Sequence, residues 1–214
     1  MGAPSPAKRA HCAICLRPKS SCICRWITPV AHQVEVVILQ HPREVDRAKG
    51  TARLLHLSLA HSRLIVGEQF EEAAVRSLLT QASEGREADG SMQVLLLYPH
   101  TPLDQTLLAP PVWGTEGLTP PSQLRLVVLD GTRRESRKLL HLNPLLQSLP
   151  RLPLRELPDS RYLIRKAQRS HQLSTLEATC AALSELEGKP GRFQPLLSAF
   201  DGFVAQQSGY MKTH

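Results

Sequence analysis

Apolar residues come in short runs, and the runs alternate with stretches of helical spacing. Residues 34–39 are rich in β-branched side chains and read as a buried strand. The loop Gln40-His41-Pro42-Arg43-Glu44 follows and enters a helix. In that helix Ala48, Ala52, Leu55 and Leu59 recur at helical spacing through about Ala60. Residues 63–67 predict a second strand, 71–82 an amphipathic helix, and 93–98 a third strand closed by Pro99. Between them lies a polar, Gly-containing loop at 83–91, and residues 99–124, rich in Pro, Thr and Gly, read as a long loop or insert. A fourth strand over 125–129 ends at Asp130-Gly131-Thr132, and a helix from Arg134 to about Leu142 is stopped by Asn143-Pro144. Residues 151–157 and 162–164 are short extended pieces. Ser174 then opens a helix to Leu186 with Glu177 three residues on, a capping-box pattern. A last helix spans 193–206, and the tail beyond Gln207 is expected to fray. Strands alternating with helices predict an α/β domain with a mainly parallel sheet.

The chain has 214 residues, which suits one domain with a small appendage. Aromatics are only 4%, so aliphatic side chains must fill the core. Apolar runs such as Val94-Leu95-Leu96-Leu97-Tyr98 fall far short of the roughly 20 residues a bilayer span needs. Lys8 and Arg9 are not followed by an apolar stretch, so no signal peptide is expected. These features predict a cytoplasmic protein with no membrane partner.

The net charge of +7 is unevenly spread. Residues 1–26 hold five basic residues and no acid, residues 125–169 hold eleven basic residues and four acids, and the rest is net acidic. Two basic blocks on an acidic chain suit a polyanion-binding surface, because each neutralised phosphate releases counterions. A solvated basic face that aids solubility has the same composition.

Four of the five cysteines lie within thirteen residues, as Cys12-x2-Cys15-x6-Cys22-x-Cys24. A C-x2-C pair lets two thiolates from one turn reach a tetrahedral Zn²⁺, and the second pair closes the shell. Lys8, Arg9, Arg17, Lys19 and Arg25 surround the cluster and favour thiolates. Two disulfides, a redox C-x-x-C and an iron–sulfur cluster are the other readings of this spacing. A closed four-thiolate site has no open coordination position, so its role is structural or RNA-docking. Cys180 sits in an apolar helical pattern and reads as a small buried residue.

Ligands in open α/β sheets bind beyond the carboxyl ends of the strands. Of the loops there, Asp130-Gly131-Thr132 is the most telling, since glycine permits close backbone approach and Asp130 sits at the strand tip. A turn with a helix N-cap accounts for the same three residues. The sequence has no G-x-G-x-x-G, P-loop, G-x-S-x-G or H-E-x-x-H motif. His41, at a predicted strand tip, reads as structural.

Several blocks in order carry a resemblance to a known family. They are the four-cysteine cluster, His41-Pro42-Arg43-Glu44, Thr51-Ala52-Arg53-Leu54-Leu55, Leu129-Asp130-Gly131-Thr132 with Arg137-Lys138, Tyr162-Leu163-Ile164-Arg165-Lys166, and Leu173-Ser174-Thr175-Leu176-Glu177-Ala178. Over residues 12 to about 187 the chain resembles the DTW-domain proteins, the tRNA-uridine aminocarboxypropyltransferases. Arg133 stands where the family's D-x-T-W motif has tryptophan, and Ser136 where alanine is more common. An arginine plane can stack on a ring as tryptophan does, but it is charged.

The resemblance implies a SPOUT-like fold with helices on both faces of the sheet and a C-terminal trefoil knot. It implies a zinc knuckle with its connector at 1–29 and a catalytic domain at 30–214. The implied reaction moves the 3-amino-3-carboxypropyl group of S-adenosylmethionine to N3 of a tRNA uridine and releases methylthioadenosine. Asp130 would be the catalytic base. Leu129, Gly131, Thr132, Tyr98, Pro99, Ser174, Thr175 and Glu177 would hold the donor. Arg53, Arg133, Arg134, Arg137, Lys138, Arg165 and Lys166 would hold RNA, and Cys12, Cys15, Cys22 and Cys24 structural Zn²⁺. Two other readings stay open: a SPOUT-like methyltransferase using the same donor, and a non-catalytic RNA-binding module with a zinc knuckle.

Overall fold

A computed structural model describes residues 10–81, 92–99, 106–108, 119–154 and 173–210. Its centre is a sheet of five strands: β1 (Glu35–Gln40), β2 (Ser62–Val66), β3 (Gln93–Leu97), β4 (Leu124–Asp130) and β5 (Arg151–Leu152). Their spatial order is β2-β1-β4-β3-β5, and every pairing is parallel. All five therefore end at the same edge. The central strands β1 and β4 are buried at every residue, which is why they read as nearly unbroken apolar runs.

The helices are α1 (Ala52–Ser58), α2 (Glu72–Thr80), α3 (Arg133–Leu142), α4 (Pro144–Gln147), α5 (Thr175–Leu186) and α6 (Gln194–Tyr210). They cover both faces of the sheet, and strand alternation sorts the core between them. Val36, Ile38, Leu126 and Val128 face one way, against Leu54 and Leu55 of α1, Leu176 and Leu183 of α5, and Leu196 and Phe203 of α6. Val37, Leu39, Val127 and Leu129 face the other way, against Val75 of α2, Leu139 and Leu140 of α3, and Leu146 of α4.

Where the chain departs from its expected elements, a local contact accounts for it. The helix expected from about residue 48 begins only at Ala52. The Arg17 guanidinium takes the carbonyls of Arg47, Ala48 and Gly50, so they are not available to a helical ladder. At the other end α6 continues to Tyr210 where fraying was expected. Gln207 is buried there, and the Gln206 amide oxygen accepts from the Trp26 indole N–H. The Trp26 ring lies so close to Gly202 that a Cβ would fall 2.1 Å from it, and only glycine fits.

The N-terminal segment joins the same core. Cys15 and Ile23 are fully buried in the cluster that includes α6. At the amino-terminal edge of the sheet Glu35 accepts two hydrogen bonds from Arg125, 2.6 and 3.1 Å, and one from Arg63, 2.9 Å. Arg125 also donates to the Leu78 and Gln81 carbonyls at the end of α2. Residues 155–172 lie outside the described residues. With them go the expected 162–164 strand, the end of the 151–157 piece, and Arg165 and Lys166. Most of the 99–124 and 83–91 loops also fall outside them. No helix among the described residues is long and apolar enough to cross a membrane.

Candidate active site

The parallel order sends the ends of β1, β2, β3 and β4 to one edge. Gln40-His41, Gly67-Glu68, Tyr98-Pro99 and Asp130-Gly131-Thr132 therefore gather there. Asp130 is the last residue of β4, only 4% exposed, and its register partner on β1 is Gln40. The Gln40 amide donates to Asp130 Oδ2 at 2.8 Å, and the Thr175 hydroxyl donates to Oδ1 at 2.6 Å. Neither donor is charged, and no cation forms an ion pair with Asp130 among the described residues. A carboxylate offers about four acceptor positions. Among the described residues two are taken by side-chain donors, one on each oxygen.

Thr175 reaches Asp130 because the start of α5 is fixed. Ser174 is the N-cap, and Glu177 Oε2 accepts from its backbone N–H and its hydroxyl. The Leu176 N–H also donates to Thr51 Oγ1 just before α1. Ser174 and Glu177 thus hydrogen-bond to each other, and Thr175 is the member of this group that donates to the aspartate.

The helix-cap reading and the site reading of Asp130-Gly131-Thr132 divide between residues. Thr132 caps α3 in a second capping box with Glu135, while Asp130 points back toward β1 and α5. Gly131 lets them meet: a Cβ there would come 2.9 Å from Glu135 Cβ. Leu129 is buried in the core cluster on the α3 face. Tyr98 is half-buried with the Arg151 guanidinium 4.9 Å over its ring, and Arg151 donates to the Pro99 carbonyl.

A band of carboxylates and one histidine lies beside Asp130. Burial drives the Glu44 carboxyl up to about 7, helped by its hydrogen bond to Glu135 and the charge of Asp130, with Arg47 opposing. Burial also works against ionised Glu135, but hydrogen bonds from the Thr132 hydroxyl and backbone and from Glu44, with a smaller electrostatic contribution from His41, carry it down to about 2. Arg47 touches both, 2.9 Å from Glu44 and 3.8 Å from Glu135. His41 Nδ1 accepts from the Arg43 N–H, and its Nε2 lies 2.6 Å from Glu68 Oε1. The Lys138 ammonium, 2.7 Å from Glu68 Oε2, leads the contacts that hold Glu68 below its ordinary value. Gln40, Glu44, Thr51, Glu68 and Glu135 were not read as site residues from sequence. Gln40, Glu44 and Glu68 follow predicted strands, and Glu44 and Thr51 lie in blocks that carry the family resemblance, whereas Glu135 had no such signal.

Arg133, Arg134, Arg137 and Lys138 are exposed along the first turns of α3. Arg133 and Arg134, in the first turn, oppose the helix dipole, so they do not serve the helix, and a bound anion would offset the cost. Lys138 is engaged by Glu68 and Arg137 by Thr106. Arg53, half-buried on α1, lies near Arg17 on the knuckle side.

The four clustered cysteines place their Sγ atoms within 4.8 Å of one another. Cys12 and Cys24 are 3.5 Å apart, and Cys15 and Cys22 are 3.7 Å apart. Zn–S bonds in a tetrahedron put sulfurs about 3.8 Å apart, so the set fits a metal ion such as zinc. Backbone N–H groups of Cys15 and Ile14 pull the Cys12 thiol down to about 6, as a thiolate ligand requires. Burial, with hydrogen bonds among the thiols, holds Cys24 up at about 12. Buried Cys180 is also pushed up to about 12, first by desolvation, in keeping with a packing role.

Known proteins match most of this chain. It is 31% identical over 204 residues to tRNA-uridine aminocarboxypropyltransferase 2 of Drosophila melanogaster, covering 92% of this chain and 74% of that protein. It is 30% identical over 187 residues to the protein of the same name in Mus musculus, covering 84% of this chain and 57% of that one. For Macaca fascicularis the figures are 29% over 190 residues, 85% and 58%. The chain thus spans less than two thirds of the mammalian relatives' length. No solved structure matches it. The DTW domain model matches residues 9–208, a span that holds both the cysteine cluster and the strand-tip aspartate. The chain belongs to the DTW-domain family.

Proposed function

We propose that this protein is a tRNA-uridine aminocarboxypropyltransferase that uses S-adenosylmethionine as donor. The observation that carries the reading is Asp130: a buried carboxylate at a sheet switch edge, held by two neutral donors and paired with no cation among the described residues. The relatives' names supply the substrate class.

Uridine N3 carries a proton at neutral pH and is a poor nucleophile. In the proposed step N3 bonds to the sulfonium-bound methylene of the aminocarboxypropyl group as the sulfur–carbon bond breaks. The N3 proton passes to the Asp130 carboxylate, and neutral methylthioadenosine leaves. A carboxylate near a sulfonium also stabilises the donor before reaction, so the gain comes mainly from placing base and methylene together. Thr175 and Gln40 hold the carboxylate in one rotamer for that purpose. The backbone at Leu129, Gly131 and Thr132, together with Tyr98, Pro99, Ser174 and Glu177, is proposed to frame the donor.

Arg133, Arg134, Arg137 and Lys138, with Arg53, Arg165 and Lys166, are proposed to take the RNA backbone or the donor carboxylate. Arg133 replaces a stacking indole with a stacking cation, which suits a contact to a phosphate-flanked base. Cys12, Cys15, Cys22 and Cys24 are proposed to hold structural Zn²⁺. We assign residues 1–29 to the knuckle and its connector, and 30–214 to a SPOUT-like catalytic domain with a C-terminal trefoil knot. The parallel sheet with helices on both faces supports that class. A cytoplasmic location is proposed with it.

Purified protein with unmodified tRNA and S-adenosylmethionine tests the reading by nucleoside mass spectrometry. The expected result is an aminocarboxypropyl mass gain on uridine, with methylthioadenosine in equal amount. S-adenosylhomocysteine as product, or no gain on any of several tRNAs, overturns it. Metal analysis is expected to give about one zinc per chain.

A further inference from the structure

Arg17 lies in the cysteine knuckle, two residues after Cys15, yet its guanidinium serves a loop more than thirty residues further along the chain. Nη1 donates to the Ala48 carbonyl at 2.7 Å, and Nη2 donates to Gly50 at 2.8 Å and Arg47 at 3.3 Å. Its guanidinium carbon sits 5.4 Å from the centre of the Phe203 ring of α6. Leu16 just before it has φ +60, the single positive φ among described non-glycine residues, and that turn sets where Arg17 leaves the knuckle. The three carbonyls belong to the β1–α1 connection, residues 41–51. The same connection supplies His41, Glu44 and Thr51. The Arg47 side chain reaches Glu44 and Glu135, and the Thr51 hydroxyl meets the start of α5 beside Thr175. A Cβ on Gly50 would fall 3.1 Å from the Arg47 carbonyl and 3.2 Å from the Glu44 carbonyl, so the loop is tightly folded where Arg17 grips it.

We propose that Arg17 is a positioning residue: it clamps the 41–51 loop from the knuckle and thereby holds the wall of the Asp130 site in its binding geometry. Three carbonyls converging on one guanidinium is an arrangement a planar five-donor group can satisfy and a point-charge ammonium cannot match. The loop has no strand or long helix of its own between His41 and Thr51, only a short 3-10 turn over Pro42–Glu44. Without the clamp its carbonyls turn to water and its backbone samples other conformations. The knuckle is therefore a buttress of the active-site edge, whatever else it contacts.

The effect on catalysis rests on the proposed function, but the effect on the loop does not. Arg17→Ala and Arg17→Lys are compared with wild type by amide exchange, zinc content, and donor KM and kcat. The expected result for Arg17→Ala is faster exchange confined to residues 42–51, with 35–40 and 124–130 unchanged and zinc retained. Donor KM should rise about tenfold with a smaller change in kcat, the worth of one hydrogen bond to a charged group. Arg17→Lys should keep the cation over Phe203 and give an intermediate loop exchange, which keeps the test available if the alanine variant folds poorly. Unchanged exchange in 42–51, or acceleration spread over the whole chain, overturns the proposal. If wild type shows no transfer at all, the functional reading falls, and the exchange result still decides the role of Arg17.

Discussion

At one end of the β1–β4 pair Glu35 lies opposite Arg125; at the other, Gln40 lies opposite Asp130. The same two strands thus present a carboxylate at each end, and the surroundings treat them oppositely. Glu35 is fully buried against two guanidinium groups, and those groups also take carbonyls at the end of α2. That end is electrically closed. Asp130 is nearly as buried but receives only an amide and a hydroxyl. Its basic neighbours sit outward on α3 or are engaged by Glu68. A closed charge cluster fixes a fold; a carboxylate given only neutral donors keeps its charge uncompensated by any described cation. The contrast separates a structural carboxylate from the one proposed to carry the chemistry, without reference to sequence.

The contrast is sharpest if the two carboxylates are neutralised in turn. Asp130→Asn keeps the shape, since the new amide can accept from Gln40 and donate to the Thr175 hydroxyl. Proton acceptance is lost. The expected result is a fall in kcat of about 10²–10⁴-fold with thermal unfolding nearly unchanged. Normal turnover by this variant would remove Asp130 from the chemistry. Glu35→Gln should do the reverse. It leaves Arg125 and Arg63 without a counter-charge at a dry site and should cost about 3–5 kcal/mol in denaturant unfolding. Turnover per folded molecule should stay at the wild-type level, and a selective loss of turnover would break the division between the two ends.

A smaller effect is expected from the groups that hold Asp130. Thr175→Val or Gln40→Leu removes one donor to a charged acceptor, worth about 1.5–3 kcal/mol. If positioning is their role, kcat should fall by about ten- to a hundredfold while the Asp130→Asn background shows little further loss. Additive losses in the double variants would mean that the donors act apart from the aspartate.

The strands and the capping box of Ser174 with Glu177 were legible in the sequence because their signals are local, whereas the Thr132–Glu135 box was read only as a cap. Residues 34–39 and 125–129 are short β-branched or aliphatic runs, and Ser174 with Glu177 is a spaced pair. The cysteine cluster was legible for the same reason. Gln40 as a donor to Asp130 was not, since the two are ninety positions apart and only the β1–β4 register joins them. Glu44 was read as part of a loop that enters a helix and Glu135 was not singled out, and their pairing appears only when the β1–α1 loop meets the start of α3. The delayed start of α1 had the same origin, a guanidinium thirty-odd residues away taking the carbonyls that helical spacing assigned to a ladder.

The Glu44–Glu135 pair offers the finest test, because it lies between the two regimes. Glu135 is held down to about 2 and Glu44 up to about 7, so the pair keeps one proton through mildly acidic pH. For Glu44 the folded state binds its proton more tightly than the unfolded chain, whose value is near 4.5. Its contribution is therefore fully present below about 4.5 and is lost as pH rises through about 7. Glu135 runs the other way: its contribution is present above 4.5 and is lost as pH falls toward about 2. Glu44→Gln should mimic the protonated partner permanently. Its melting temperature should exceed wild type at pH 8, and the gap should narrow as pH is lowered toward 4.5. Differential scanning calorimetry across that window checks it. A gap that is constant with pH would mean that Glu44 titrates as an ordinary surface carboxylate and that neither burial nor its contact with Glu135 holds its proton.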